Sequence, residues 1–147
     1  MGEELKVLEK LKEELGGRLL DSSYNSSRRV LIVKVSREAI TKSIEVLKEV
    51  SGGELHLTSI NGADLEDRFE LTYFIWLLPQ RLRVLVKVEV PREDLRVESA
   101  SKVSPATLLY EREVHEMLGV KFEGHPKLER LFLPEDWPEG VYPLRRS

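Results

Sequence analysis

Cysteine is absent from these 147 residues. Disulfides, thiolate nucleophiles and Cys-ligated zinc or iron–sulfur centres are therefore excluded from the chain. Long apolar runs are missing as well. The longest, near Phe74 to Leu78, is far too short to cross a bilayer. The opening segment MGEELKVLEK has no signal-peptide core, and Lys6 stands where a myristoylation site needs Ser or Thr. An excess of positive charge is also lacking. Lys and Arg number 23 against 26 Asp and Glu, a net charge of −3, which argues against nucleic-acid binding through a strong positive field. The expectation is an intracellular, water-soluble protein.

What is present points to one domain. The hydrophobic share is 41%, and a chain of this length buries about two-thirds of its unfolded surface. Charged residues reach 33% and are rich in Glu, Lys and Arg, a composition that suits a hot environment.

The pattern along the chain predicts an α+β fold. Leu5, Leu8, Leu11 and Leu15 mark an amphipathic helix over 3–15, stopped by Gly16-Gly17. A strand around 18–24, a turn at Asn25-Ser26-Ser27 and a buried strand over 30–35 follow. Ser36 reads as the cap of a second helix buried through Ile40, Ile44, Leu47 and Val50 and ended by Gly52-Gly53. Strands are expected over 55–60, closed by an Asn61-Gly62 turn, then 69–78 and 82–90. The last alternates cleanly, Leu82, Val84, Val86, Val88 and Val90 against Arg83, Lys87 and Glu89, giving one wet face. A third helix is expected from Ser104-Pro105 to Leu118 before Gly119. The architecture is then a mixed or antiparallel sheet of about five strands covered by helices, as an α+β domain over 1–119. Residues 120–147 form an extended C-terminal docking tail.

Chemistry is sparse. His115-Glu116 begins like H-E-x-x-H, but Gly119 stands where the second histidine would be. His56 lies in a strand, and His125 sits in a Gly124-His125-Pro126 turn. The glycine pairs follow helices, the reverse of a phosphate cradle. Asp64, Glu66, Asp67 and Glu70 read as a solvated loop. The tail is different. Phe122, Phe132, Trp137, Tyr142 and Leu144 are interrupted by Pro126, Pro134, Pro138 and Pro143. Prolines forbid a continuous helix or ladder, so these apolar groups need a preformed surface. Trp, Tyr and Arg are also enriched among protein–protein anchors.

The run Glu111-Arg112-Glu113-Val114, then Met117-Leu118-Gly119-Val120, then Phe122-Glu123-Gly124-His125-Pro126 through Leu131, and the closing Pro143-Leu144-Arg145-Arg146, resembles the thirty-kilodalton subunit family of respiratory complex I. Its relatives in membrane-bound nickel–iron hydrogenases share the pattern. The short chain looks like the compact versions found in energy-converting hydrogenases and related ferredoxin-linked complexes. The resemblance implies a non-catalytic subunit of a peripheral arm, on the cytoplasmic side of the membrane. Such a subunit holds no cofactor itself. Iron–sulfur clusters and a nickel–iron site would reside in its partners, a hydrogenase-large-subunit-like chain and cluster-bearing small subunits. Phe132, Trp137 and Tyr142 would be apolar anchors, with Arg112, Arg130 and Arg145 donating to carboxylates or carbonyls. Glu111, Glu113, Phe122, Gly124, His125, Pro126 and Leu144 complete the expected interface. On this reading a chain cut after Gly119 folds but fails to assemble. Two alternatives stand beside it: a self-contained adaptor with the tail on its own sheet, and a small hydrolase or isomerase using His115 or His125.

Overall fold

A computed structural model describes residues 2–128 and 136–145. Helix α1, Glu3–Leu15, opens the chain. Its buried stripe is Val7, Leu11 and Leu15, while Leu5 is 42% exposed. The helix is thus rotated from the all-leucine stripe, with Val7 in the place expected of Leu5. Strands β1, Leu19–Asn25, and β2, Val30–Val35, form a hairpin. In its turn the Asn25 side chain accepts from the Arg28 N–H at 3.1 Å.

The second helix enters through a 3₁₀ turn, Arg37–Ala39, and α2 proper spans Ile40–Val50. Ser36 makes no capping hydrogen bond. Strands β3, Leu55–Asp64, β4, Arg68–Leu77, and β5, Leu82–Pro91, then form an antiparallel meander. Helix α3 is Thr107–Leu118, and two three-residue strands, β6, Arg96–Glu98, and β7, Lys121–Glu123, pair in parallel.

The main sheet has the order β1-β2-β5-β4-β3. It is mixed, because β5 runs antiparallel to β4 and parallel to β2. Leu82, Val84, Val86, Val88 and Val90 are all fully buried on the helix-covered face. At about 1.5–3 kcal/mol for each such side chain, β5 is the spine of the core.

Three expectations need correction. Asn61-Gly62 is not a turn. β3 runs straight through it, and a Cβ on Gly62 would stand 2.3 Å from the Leu118 side chain on α3. The glycine serves a close helix–strand approach. Asp64 is not solvated: its side chain is 1% exposed and bonded to Arg92 at 2.7 Å. Glu70 lies on β4 and pairs with Lys87. Nor does packing break at 119/120. Val120 and Phe122 are core residues at 0% and 1% exposure, and β7 carries Phe122 into place. A chain cut after Gly119 would therefore lose part of its core.

Candidate functional site

Two clusters gather the residues of the C-terminal motif. The first is buried. Glu111, on the inner side of α3, accepts from the Ser99 hydroxyl at 2.6 Å and from the Ala100 N–H at 2.8 Å. These donors follow β6, so the carboxylate ties that segment to α3. His125, just after β7, closes the same space: its Nε2–H donates to the Leu108 carbonyl at 2.9 Å, and its Nδ1 accepts from the Lys127 N–H at 2.9 Å. Those two bonds fix the orientation of the ring. Nε2 lies 4.0 Å from Glu111 Oε1.

Burial pushes the Glu111 carboxyl above its ordinary 4.5, against the opposing bonds from Ser99 and Ala100 and the His125 ring. Its neighbour Tyr73 is fully buried, and its hydroxyl has no hydrogen-bond partner among the described residues. Burial, then the nearby Glu111 charge, raises that phenol well above 10. The side chains of His125 and Glu111 are 1% and 0% exposed, so no substrate reaches them. The acid–base pair of the motif is consumed in holding β6, α3 and β7 together.

The second cluster sits at the C-terminus of α3. Gly119 takes φ +83, and its N–H returns to the His115 carbonyl at 2.8 Å. A helix end leaves carbonyls without partners. Here the tail supplies donors: Leu144 N–H to Met117 O at 3.0 Å, and Arg145 Nε–H to Leu118 O at 2.7 Å. The Arg145 guanidinium stacks 4.2 Å from the Tyr142 ring centre and 5.4 Å from that of Phe69. A Cβ on Gly119 would meet Arg145 Nη2 at 2.6 Å and Tyr142 Cζ at 2.8 Å. The glycine turn and the Pro-Leu-Arg end are two halves of one latch. Trp137 closes the loop, donating Nε1–H to Val141 O at 2.8 Å.

The expected interface residues therefore divide. Glu111, Phe122 and the His125 ring point inward, a correction to their expected place on a partner surface. Their burial follows from the β6–β7 pairing, which three-residue strands do not announce. Arg145 donates to a carbonyl of its own chain. Arg112, Trp137 and Tyr142 are half-buried, while Glu113, Gly124, Pro126 and Leu144 are exposed. Gly124 has φ +85. Arg130 and Phe132 lie outside the described residues. Sequence reasoning misses Ser99, Ala100 and Tyr73; the small-residue run 99–101 is the available signal for a close approach.

A cleft of about 660 Å³ lies elsewhere, beside β6 and the entry to α2. Its two arginines are occupied. Arg37 and Arg96 both hold Asp94 at 2.7 Å, and the Arg96 bond, then that of Arg37, lowers the Asp94 carboxyl to about 2. Among the described residues, no group of three His, Asp or Glu side chains is placed to bind a metal. No described helix is long and apolar enough to cross a membrane.

Comparison with known proteins fits this geometry. Residues 33–147 match the family described as respiratory-chain NADH dehydrogenase, 30 Kd subunit. The membrane-bound hydrogenase subunit beta of Pyrococcus furiosus is 32% identical over 143 residues, covering 95% of this chain and 82% of the relative. An NADH-quinone oxidoreductase subunit of Geobacter sulfurreducens is 31% identical, covering 100% and 90%. A chain in the structure of a membrane-bound sulfane sulfur reductase, an archaeal respiratory membrane complex, superposes with a TM-score of 0.80 at 26% identity, over 97% of this chain and 82% of that one. A trypsin-resistant fragment of Nqo5 superposes at 0.65 with 29% identity, over 83% and 99%.

Proposed function

The chain belongs to the respiratory-chain NADH dehydrogenase 30 Kd subunit family, and from that premise we propose that it is a structural subunit of the peripheral arm of a membrane-bound respiratory complex of energy-converting hydrogenase type. Members of this family are accessory subunits of oxidoreductases and carry no catalytic site of their own. Its partners on this reading are a hydrogenase-large-subunit-like chain and cluster-bearing small subunits, which hold the iron–sulfur clusters and a nickel–iron site. It meets the cytoplasmic side of the membrane only through them.

The observation that carries this reading is the division within the motif. Glu111 and His125 are enclosed, while Leu144 of the motif and its neighbours Leu109 and Val141 are 54%, 55% and 48% exposed. An acid–base pair at work on a substrate would be open to it instead. Half-exposed leucines on a helix and a returned tail favour a surface that another protein covers. The latch on α3 gives the tail a fixed shape before any partner arrives, which lowers the ordering cost of association.

The test is gentle detergent extraction of native membranes with this chain tagged, followed by mass spectrometry of what accompanies it. Recovery with a large hydrogenase-like subunit, cluster-bearing subunits and antiporter-like membrane proteins is the expected result. Recovery of the chain alone from the soluble fraction would refute it.

A further inference from the structure

The outward side of α3 and its approach carry Ala106, Leu109, Tyr110, Glu113 and Met117. Spacings of three and four residues place them on one stripe. The stripe runs beside β3, an edge strand of the main sheet. Two clefts lie in the angle between helix and strand: about 430 Å³ between Thr58 and Leu109, and about 180 Å³ between Asn61 and Leu144.

The strand itself is guarded only by a register irregularity near its start and by Asp64 at its end, which is buried against Arg92. Proteins usually protect exposed edges with Lys, Pro or other charges, because unpaired backbone groups recruit further strands. β3, Leu55–Asp64, contains no Lys, Arg, Glu or Pro in a chain that is one-third charged. Its register is interrupted only between Leu57 and Ser59; from Ser59 to Asp64 it pairs without a break to β4. Among the described residues, no backbone group outside the sheet bonds to β3. Glu113 is exposed beside it, with no ion pair or hydrogen bond among the described residues.

We propose that an extended segment of a partner protein adds to β3 as a sixth strand. Its apolar side chains lie against Leu109 and Met117, and a Lys or Arg lies on Glu113. A strand beside a helix is a recurrent cradle for extended peptides: the edge supplies backbone bonds, and the groove selects alternate side chains. Charge favours a basic segment, because the exposed Glu113 beside the strand holds no ion pair among the described residues. The inference rests on the reading of the protein as a member of a larger complex and names one of its contact modes.

The experiment is hydrogen–deuterium exchange of the β3 amides, in the full chain alone and in the detergent-extracted complex. Leu109→Asp and Glu113→Lys are compared in the same extraction. Both side chains are exposed, so the free variants should melt as the wild type does. The expected result is at least about tenfold slower exchange over Ser59–Asp64 in the complex, and a fall of about tenfold in assembled Leu109→Asp. Wild-type chain present in the complex with β3 exchanging as in the free chain would overturn the proposal and leave the subunit reading intact. Slowed β3 exchange in the chain alone, rising with its concentration, would overturn it in favour of self-pairing. Wild-type chain recovered without partners would refute the subunit reading and this site with it.

Discussion

Replacing Glu111 separates two roles that a buried carboxylate can play, acceptor and charge. In Glu111→Ala the Ala100 N–H loses its acceptor, at a cost of about 1–3 kcal/mol for a stranded buried donor. The Ser99 hydroxyl escapes that fate, because Ser101 Oγ stands 2.9 Å away and accepts its proton. One buried methylene is also lost, worth about 0.8 kcal/mol. The sum is about 2–4 kcal/mol, a large share of a typical stability of about 5–15 kcal/mol. Glu111→Gln keeps an oxygen for Ala100, and its amide can donate to Ser99 while Ser99 turns to Ser101. It also removes the cost of burying a charge. The expected loss is below about 1 kcal/mol. Urea unfolding followed by the fluorescence of Trp76 and Trp137 measures both. A loss below about 1 kcal/mol for the alanine variant, or equal losses for both, would refute the acceptor argument.

The same carboxyl sets a pH dependence. Its value is raised in the folded state, so its contribution is full below 4.5 and falls as pH rises through the raised value. Asp94 acts oppositely: lowered from 3.8 to about 2, it stabilises above 3.8 and ceases to do so as pH falls toward 2. Melting temperatures of Glu111→Gln and Asp94→Asn against wild type should therefore diverge in opposite directions across acid pH; parallel profiles would contradict the assignments. Gly119→Ala forces a side chain into a left-handed position already filled by Arg145 and Tyr142, and should cost about 1–3 kcal/mol. Limited proteolysis should then cut residues 136–145 faster than in the wild type. Arg145→Lys should not restore an Arg145→Ala loss, since an ammonium neither stacks on Tyr142 nor presents a planar fork; full recovery of the melting temperature would argue against the stack. Cutting the chain after Gly119 removes Val120 and Phe122 from the core and should abolish cooperative unfolding, read by calorimetry.

Periodic elements are legible in the sequence and non-local ones are not. β5 alternates so regularly that its buried face can be read residue by residue, and Gly119 marks the end of α3 because a left-handed cap is a local requirement. Asn61-Gly62 misleads because its local signal is a turn, while the glycine answers to Leu118, a distant neighbour in sequence. β6 and β7 are too short to carry a period, so the burial of Phe122 and the meeting of Glu111 with His125 leave no local trace. Arg145 presents itself as a donor to carbonyls, but nothing in its neighbourhood says that the carbonyl belongs to Leu118. The motif shows which residues matter together. Their distances and burial require the fold.

The return of Leu144 and Arg145 to the carbonyls of Met117 and Leu118 has a consequence for synthesis. While the ribosome still holds residues 141–145 in its exit tunnel, α3 lacks its final partners and Gly119 has no ring packed beside it. The helix end is completed only after those residues emerge. A chain truncated before residue 141 would display a frayed end to α3 in place of the capped one.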